Sequence, residues 1–240
     1  MATWIAHLQL ADNLLKYGFD LEIKPFLIGS LAPDAGYLNT QNSWYPSKKI
    51  THFFDDENQN IQPEDFYYQY IHQQTHSADT YAFLMGYYAH LLADVEWIGN
   101  VWRPFKHTYP LLGQNIENDT DFAYQFKQLE WFGHDFLYLK QNPDDEAFKL
   151  IEEVQSLPDY LDFLPSEMLA TWLQDEVINT YADEETMQKV LVHDFLYFSP
   201  MTRQAWLDCA TGTLIEMFKG KRVPCPIPRP LWGVYIQPYA

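Results

Sequence analysis

Apolar side chains recur every three or four residues along most of the chain, the spacing that places them on one face of a helix. The first such stretch starts after Thr3, a residue type typical of a helix N-cap, and stops before Gly18, which suits a C-cap. The same period predicts helices at residues 21–31, 63–74, 81–97, 121–140, 145–156, 165–179, 184–197 and 202–218, with loops at 35–46 and 103–112. Because period-two alternation is scarce, the sequence predicts an all-α fold.

Composition predicts one multi-helix domain followed by a tail. The 8 Trp, 17 Tyr and 16 Phe are spread over the whole length, and the 10 Gly form no flexible linker. Five of the 15 prolines lie after Val223. We therefore predict a helical domain at residues 1–222 and an extended Pro-rich tail at residues 223–240 packed on it.

The net charge and the absence of targeting signals limit the binding partners and the cellular location that we expect for this protein. The net charge of −18 opposes binding to long nucleic acids, which are polyanions. No basic region precedes the first apolar positions, and no run of about twenty apolar residues occurs, so we expect neither a secretory signal nor a membrane span. A cytoplasmic location is the expectation, with Cys209 and Cys225 as free thiols.

The predicted helix at residues 81–97 carries two ionisable groups on an apolar face. His90 and Asp94 share a stripe with Phe83, Tyr87 and Trp97. An uncompensated charge on such a buried stripe costs several kcal/mol, so both groups need a partner. A metal ion satisfies an imidazole and a carboxylate together, and a His–Asp hydrogen bond inside the core is the alternative.

A short sequence, HDFLY, occurs at residues 134–138 and again at residues 193–197. The flanking residues differ, so the chain is not a repeat protein. Adjacent side chains on a helix point about 100° apart, and neither His-Asp pair is placed to bind one metal ion. The favoured interpretation is two aromatic core helices with polar residues at their rims.

Candidate metal ligands occur in a distinctive order along the first half of the chain. They are His7 in the first helix, Asp34 after Ser30 and Pro33, His52 before Phe53, and Gly86, His90 and Asp94 at intervals of four residues. This arrangement, covering about the first hundred residues, resembles the zinc-dependent phospholipase C family. That family shares its all-helical fold with the single-strand-specific zinc nucleases.

The resemblance implies a metal-dependent hydrolase of small phosphomonoesters or phosphodiesters, in which two cations activate a water and neutralise charge on the phosphate. It implies that Asp34, His52, His90 and Asp94 hold one metal, and that Asp94 bridges to a second metal that His7 also binds. It also implies a catalytic role for Asp34. One to three divalent ions are expected, with zinc as the first choice and iron or manganese as alternatives.

The chain departs from the family pattern at two places. Secreted members chelate a metal with a new N-terminal residue, often Trp, whereas Trp4 here is the fourth residue. Members also use a downstream His followed four residues later by Glu, a pair that His107, His134 and His193 do not form. Glu130 and His134 give that pair in reverse order with Asp135 beside them, and these three are candidates for an additional metal site.

Two other functions remain open. The HD-domain phosphohydrolase pattern is matched by His90, His134, Asp135 and Asp194, although it leaves His7, Asp34 and His52 without a role. A non-catalytic helical binding protein is the second alternative, in which protein ligands would close the metal site.

Overall fold

Helices account for most of the computed structural model, which describes residues 1–41, 43–55, 60–119, 122–123 and 126–220. The α-helices are α1 Trp4–Tyr17, α2 Ile23–Gly29, α3 Lys48–Thr51, α4 Pro63–Phe66, α5 Ala78–Trp97, α6 Arg103–Thr108, α7 Pro110–Asn118, α8 Phe132–Gln141, α9 Glu146–Glu152, α10 Ser166–Trp172, α11 Asn179–Tyr181, α12 Glu184–Leu191 and α13 Pro200–Phe218. Wider π-helical turns lie at Tyr67–Ile71, Ile98–Trp102, Lys127–Trp131 and Leu173–Ile178. The all-α prediction is confirmed.

Helix α5 is the longest and most buried helix that the structure describes. Its first turn is capped by Ser77, whose Oγ accepts a hydrogen bond from the Thr80 N–H. From Ala82 to Asp94 every residue is buried. A helix that is apolar on all sides is stable only when other helices cover it. Buried apolar side chains from Ala2 to Leu214 form the surrounding core.

Two glycines let α2 and α5 approach with their backbones in contact. A Cβ atom at Gly29 would overlap the Phe83 carbonyl group of α5, and one at Gly86 would overlap the Phe26 carbonyl group of α2. Both positions therefore exclude any larger residue. The close crossing sets the end of α2, and the chain that follows it, beside the middle of α5.

Several predicted boundaries differ from the structure. Residues 103–108 and 110–112 are helical rather than a loop. Pro104 and Pro110 lie in the first turns of α6 and α7, where an N–H group has no partner within the helix and its absence costs no hydrogen bond. The predicted helix at residues 184–197 ends at Leu191. Residues 35–46 contain a short antiparallel hairpin, with Tyr37 opposite Tyr45 and Leu38 opposite Trp44.

Part of the sequence prediction lies outside the described residues, namely the tail at residues 223–240 with Cys225. The division at residues 222 and 223 therefore stays a prediction. In the part of the chain that is described, no helix has the length and apolar character needed to cross a membrane.

Candidate metal centre

Five predicted ligands come together around the middle of α5. His90 and Asp94 project from one face of α5, and His7 reaches them from α1. Asp34 ends the short 3-10 helix Ala32–Asp34 that follows α2, and His52 directly follows α3. All five side chains are buried, with exposures between 0% and 6%. The close crossing of α2 and α5 is what brings the Asp34 segment to this point.

Asp94 lies at the centre of the group. Its Oδ1 is 3.5 Å from His7 Nε2, and its Oδ2 is 3.5 Å from both His52 Nε2 and His90 Nε2. His52 Nε2 is also 3.5 Å from Asp34 Oδ1. The His7 and His90 rings stack in parallel, with their centroids 3.7 Å apart.

These atoms are close without being hydrogen-bonded. His7 Nε2, His52 Nε2, His90 Nε2 and Asp94 Oδ2 are buried and have no hydrogen-bond partner among the described residues. Leaving one buried polar group unpaired costs about 1–3 kcal/mol, so four at one point call for a shared partner.

A zinc ion fits this arrangement. Two atoms bound to one tetrahedral zinc, each at about 2.0–2.2 Å, lie about 3.4 Å apart, close to the spacing between these imidazole and carboxylate atoms. Two groups in the described chain could each hold an ion, since their ligand atoms lie within 4.8 Å of one another. One consists of His7, His90 and Asp94, and the other of Asp34, His52 and His90.

Hydrogen bonds behind the ligands orient two of the three imidazoles, those of His90 and His52. His90 Nδ1 lies 2.8 Å from the Ser30 carbonyl oxygen, which can only accept, so the proton is on Nδ1 and Nε2 presents a lone pair to the centre. His52 Nδ1 pairs with Thr51 Oγ1 at 3.0 Å. The Thr51 carbonyl in turn accepts a hydrogen bond from the Tyr87 hydroxyl.

Burial and charge keep the group ready for a cation at neutral pH. Burial, aided by the neighbouring His90, lowers the pKa of His7 to about 4, so its ring is neutral. Burial alone would raise the pKa values of both carboxyls. Lys48 and His52 hold the pKa of Asp34 well below its usual value, and the surrounding imidazoles do the same for Asp94. Neutral imidazoles and ionised carboxylates are the forms that bind metal.

Lys48 is a member of this site that the sequence did not indicate. Its Nζ donates to Asp34 Oδ1 at 2.6 Å, and its side chain is 30% exposed. A single lysine in a short basic segment carries no local signal of such a role.

Ala2 brings the N-terminal segment to the centre. Its backbone N–H donates to Asp94 Oδ1 at 2.8 Å. Trp4, by contrast, packs edge to face against Phe132 and Trp172. The aromatic residue noted in the sequence therefore belongs to the core, while the backbone two residues before it touches a candidate ligand.

The candidates for an additional metal site have other partners. Asp135 Oδ1 accepts from Thr3 Oγ1 at 2.7 Å and from Arg203 Nη2 at 3.2 Å, while its Oδ2 accepts from the Tyr181 hydroxyl at 2.6 Å and from the Ile5 N–H at 3.3 Å. This buried carboxylate thus fixes the start of α1.

Glu130 and His134 hold the segment that follows α12. Glu130 accepts hydrogen bonds from the His193 ring and from the backbone N–H groups of residues 196–198. His134 Nε2 donates to the Phe198 carbonyl at 2.5 Å. Glu130, His134 and Asp135 do not belong to either of the two groups that could hold an ion.

The HD-domain alternative gains no support from these positions. Asp194 is exposed, whereas His90 is 1% exposed at the centre. His134 and Asp135 are engaged by the partners described above. The second HDFLY sequence lies outside a helix and wraps around Glu130.

Comparison with known protein families identifies a match. Residues 4–181 match the family described as zinc dependent phospholipase C, and this range includes all five residues of the centre. No curated protein and no solved structure matches the chain. Since the match covers well over half of the 240 residues, the chain belongs to the zinc-dependent phospholipase C family.

Proposed function

We propose that the protein is a metal-dependent hydrolase of small phosphoesters, and that His7, Asp34, His52, His90 and Asp94 hold its zinc-type metal centre. The observation that carries the proposal is the set of buried, unpaired imidazole and carboxylate atoms spaced about Asp94. The family match supports the same conclusion. Divalent ions in such a centre would supply an activated water and would offset negative charge on the phosphate.

The protein's own residues orient and charge the site. His90 is oriented by the Ser30 carbonyl and His52 by Thr51, so neither ring needs to reorganise when it binds. Asp94 is held in place by the Ala2 N–H, which leaves its Oδ2 free. These contacts orient the two rings and the Asp94 carboxylate before any ion or substrate arrives.

Asp34 and Lys48 form the side of the site that reaches solvent. Lys48 is the partly exposed member of the pair, and its ammonium group can donate to a phosphoryl oxygen while it remains near Asp34. We assign the catalytic role to Asp34 because this carboxylate contacts Lys48, the partly exposed cation beside the centre. A small soluble headgroup ester or phosphomonoester fits better than a long polyanion, because the chain carries a charge of −18.

Elemental analysis and a hydrolysis screen test the proposal. Purified protein should contain zinc, iron or manganese, and the loaded protein should hydrolyse at least one chromogenic or natural phosphoester. Asp94→Asn should lose both metal and activity, whereas Asp208→Asn, on the exposed face of α13, should lose neither. Bound metal without any hydrolysis across the screen would instead favour the non-catalytic binding protein, in which the buried ligands close the site.

A further inference from the structure

Lys127 is a partly buried lysine that has no acidic partner among the described residues. It opens the π-helical turn Lys127–Trp131, and its Nζ lies 5.6 Å from the centre of the Trp131 ring. Burial lowers the pKa of Lys127, whereas a hydrogen bond to Asp12 raises the pKa of Lys16. A cation–π contact offsets only part of the cost of burying an ammonium group. In a chain with 33 acidic residues, a partly buried lysine without a carboxylate indicates a function.

The Trp131 ring connects Lys127 to helix α5. Its centroid is 5.8 Å from that of Trp97, and the two rings meet edge to face. Trp97 lies about one helical turn after Asp94 in α5. Lys127 therefore reaches the candidate metal centre from the side of α5 that carries Trp97.

The Met1 amino group shows that Lys127 and Lys48 lie near the same point. Met1 precedes Ala2, whose N–H donates to Asp94. Burial lowers the pKa of the Met1 amino group, and the charges of Lys127 and Lys48 lower it further. Because such effects decay over about 10 Å at ordinary ionic strength, both ammonium groups lie close to this amino group. The two lysines thus flank the centre from different parts of the chain.

The charges around the centre favour a doubly charged anion. Bound to the centre, one divalent ion would balance the two carboxylates of Asp34 and Asp94. Lys48 and Lys127 would then remain as two positive charges beside it. A phosphomonoester carries about −1.5 to −2 charges at neutral pH, whereas a phosphodiester carries a single negative charge. The two ammonium groups therefore match the phosphomonoester better.

We propose that Lys127 and Lys48 bind the phosphate group of a phosphomonoester beside the metal centre and make this class of ester the preferred substrate. Lys48 belongs to α3 and Lys127 to the π-helical turn, so a phosphate between them accepts charge-assisted hydrogen bonds from two parts of the chain. The inference rests on the proposed function, because it names the substrate class of the same site.

Equilibrium dialysis of the zinc-loaded full chain against radiolabelled inorganic phosphate tests the anion site. Lys127→Met keeps a long unbranched side chain and removes the charge, so the dissociation constant for phosphate should rise about tenfold. Lys127→Arg keeps the charge and should bind phosphate more tightly than Lys127→Met. The matched control Lys140→Met removes an exposed lysine of α8 and should bind phosphate like the wild type. Equal dissociation constants for Lys127→Met and Lys140→Met overturn the proposal.

A matched pair of chromogenic esters tests the substrate class. Both 4-nitrophenyl phosphate and bis(4-nitrophenyl) phosphate release 4-nitrophenol, so the ratio of their kcat/KM values reports the preference for the monoester. The wild type should prefer the monoester, and Lys127→Met should reduce this preference about tenfold, mainly through a higher KM for the monoester. A wild type that prefers the diester, or an unchanged ratio in Lys127→Met, contradicts the proposal.

Zinc content and Tm establish whether Lys127→Met is folded. Lys127 contacts the Trp131 ring and none of the five candidate ligands in the described structure, so the variant should keep the zinc content of the wild type. Lysine acetylation of the wild type gives an answer that needs no variant. Inorganic phosphate should protect Lys127 and Lys48 from acetic anhydride but leave Lys140 reactive, as measured by peptide mass spectrometry. Equal acetylation of Lys127 with and without phosphate rules out the anion site.

Failure of this inference can be distinguished from failure of the proposed function. If the zinc-loaded wild type hydrolyses either ester while Lys127→Met binds phosphate normally, the role of Lys127 is wrong and the hydrolase stands. If phosphate binds through Lys127 and neither ester is hydrolysed, the anion site stands, and the hydrolase and its substrate preference are wrong.

Discussion

Replacement of Asp135 by Asn should destabilise the protein and weaken the metal centre at a distance. The carboxylate of Asp135 is fully buried and receives four donors, from Thr3, Ile5, Tyr181 and Arg203. Asparagine keeps one acceptor oxygen. Its NH2 group replaces the second carboxylate oxygen and faces the donors that had hydrogen-bonded to that oxygen. The Arg203 charge is then left without its ionic partner.

The magnitude follows from these contacts. Removing one partner of a buried ion pair costs about 3–5 kcal/mol. Burial raises the pKa of Asp135, which shows that its charge is itself penalised and that part of the loss is offset. We therefore expect a loss of about 3 kcal/mol in the free energy of unfolding. For a chain of this size that corresponds to a fall of about 6–12 °C in Tm.

A second effect should appear at the metal centre. Asp135 fixes Thr3, and the neighbouring Ala2 N–H donates to Asp94 Oδ1. Loosening this segment should lower zinc affinity by about tenfold or more, as loss of an outer contact to a ligand usually does. Urea unfolding of the metal-free protein and competition with a chelating dye measure the two effects separately, with Asp208→Asn as the control. A free energy of unfolding equal to that of the control, or unchanged zinc affinity in a destabilised variant, would refute the corresponding step.

Three further outcomes are expected. Chelation by EDTA should lower the Tm of the wild type but not that of Asp94→Asn, because an ion bound only by the folded state stabilises that state. An equal wild-type Tm with and without chelator, in protein shown to hold no metal, would contradict the metal centre. Gly86→Ala should cost at least about 1–3 kcal/mol, because its methyl group meets the Phe26 carbonyl, whereas Gly212→Ala has open space and should be neutral or slightly stabilising in urea unfolding. Burial lowers the pKa of His134 from 6.5 to about 4. As the pH is lowered, the unfolded chain therefore binds a proton at this residue before the folded chain does, and the free energy of unfolding should fall by about 3 kcal/mol from pH 6.5 to pH 4. His134→Gln should remove that part of the pH dependence, and an identical pH profile in both proteins would show that His134 is not its source.

Local periodicity was sufficient for the helices whose apolar face is continuous. Helix α5 was predicted from residue 81 and starts at Ala78, and the C-terminal helix was predicted from residue 202 and starts at Pro200. The prediction of a loop at residues 103–112 was wrong because its two prolines, considered without the rest of the fold, suggest a loop. Both stand in first turns of helices whose buried side chains, such as Phe105 and Ile116, pack on the core.

The early end of the helix predicted at residues 184–197 has a cause far away in the sequence. Glu130 takes up the backbone N–H groups of residues 196–198, which a continuing helix would have bonded internally. The two residues of the Glu130–Phe198 contact are 68 positions apart. No pattern within the HDFLY sequence carries that information, so the two copies of one pentapeptide adopt different structures.

The five central residues were predictable because their order and spacing match a known arrangement, with local features such as Gly86 four residues before His90. Lys48, the Ala2 amide and the Asp135 contacts were not predictable in the same way. A lysine or a backbone amide has no distinguishing neighbours in sequence, and the Thr3–Asp135 hydrogen bond spans 132 positions. Only the folded chain shows which of many similar groups lie beside the centre.

Helix packing and the metal centre depend on the same contact. Gly29 and Gly86 allow α2 to touch α5, and this contact sets the Ser30 carbonyl 2.8 Å from His90 Nδ1. The same crossing places the buried carboxylates of Asp34 and Asp94 near each other, with Lys48 as the one cationic side chain that contacts either of them in the described structure. Two buried carboxylates face the Lys48 ammonium group and the buried Met1 amino group, whose own pKa is lowered by burial, so the negative charges of the packed state are incompletely paired. A bound cation would complete the pairing, so the residues that disfavour folding without metal are those that make the folded chain bind it.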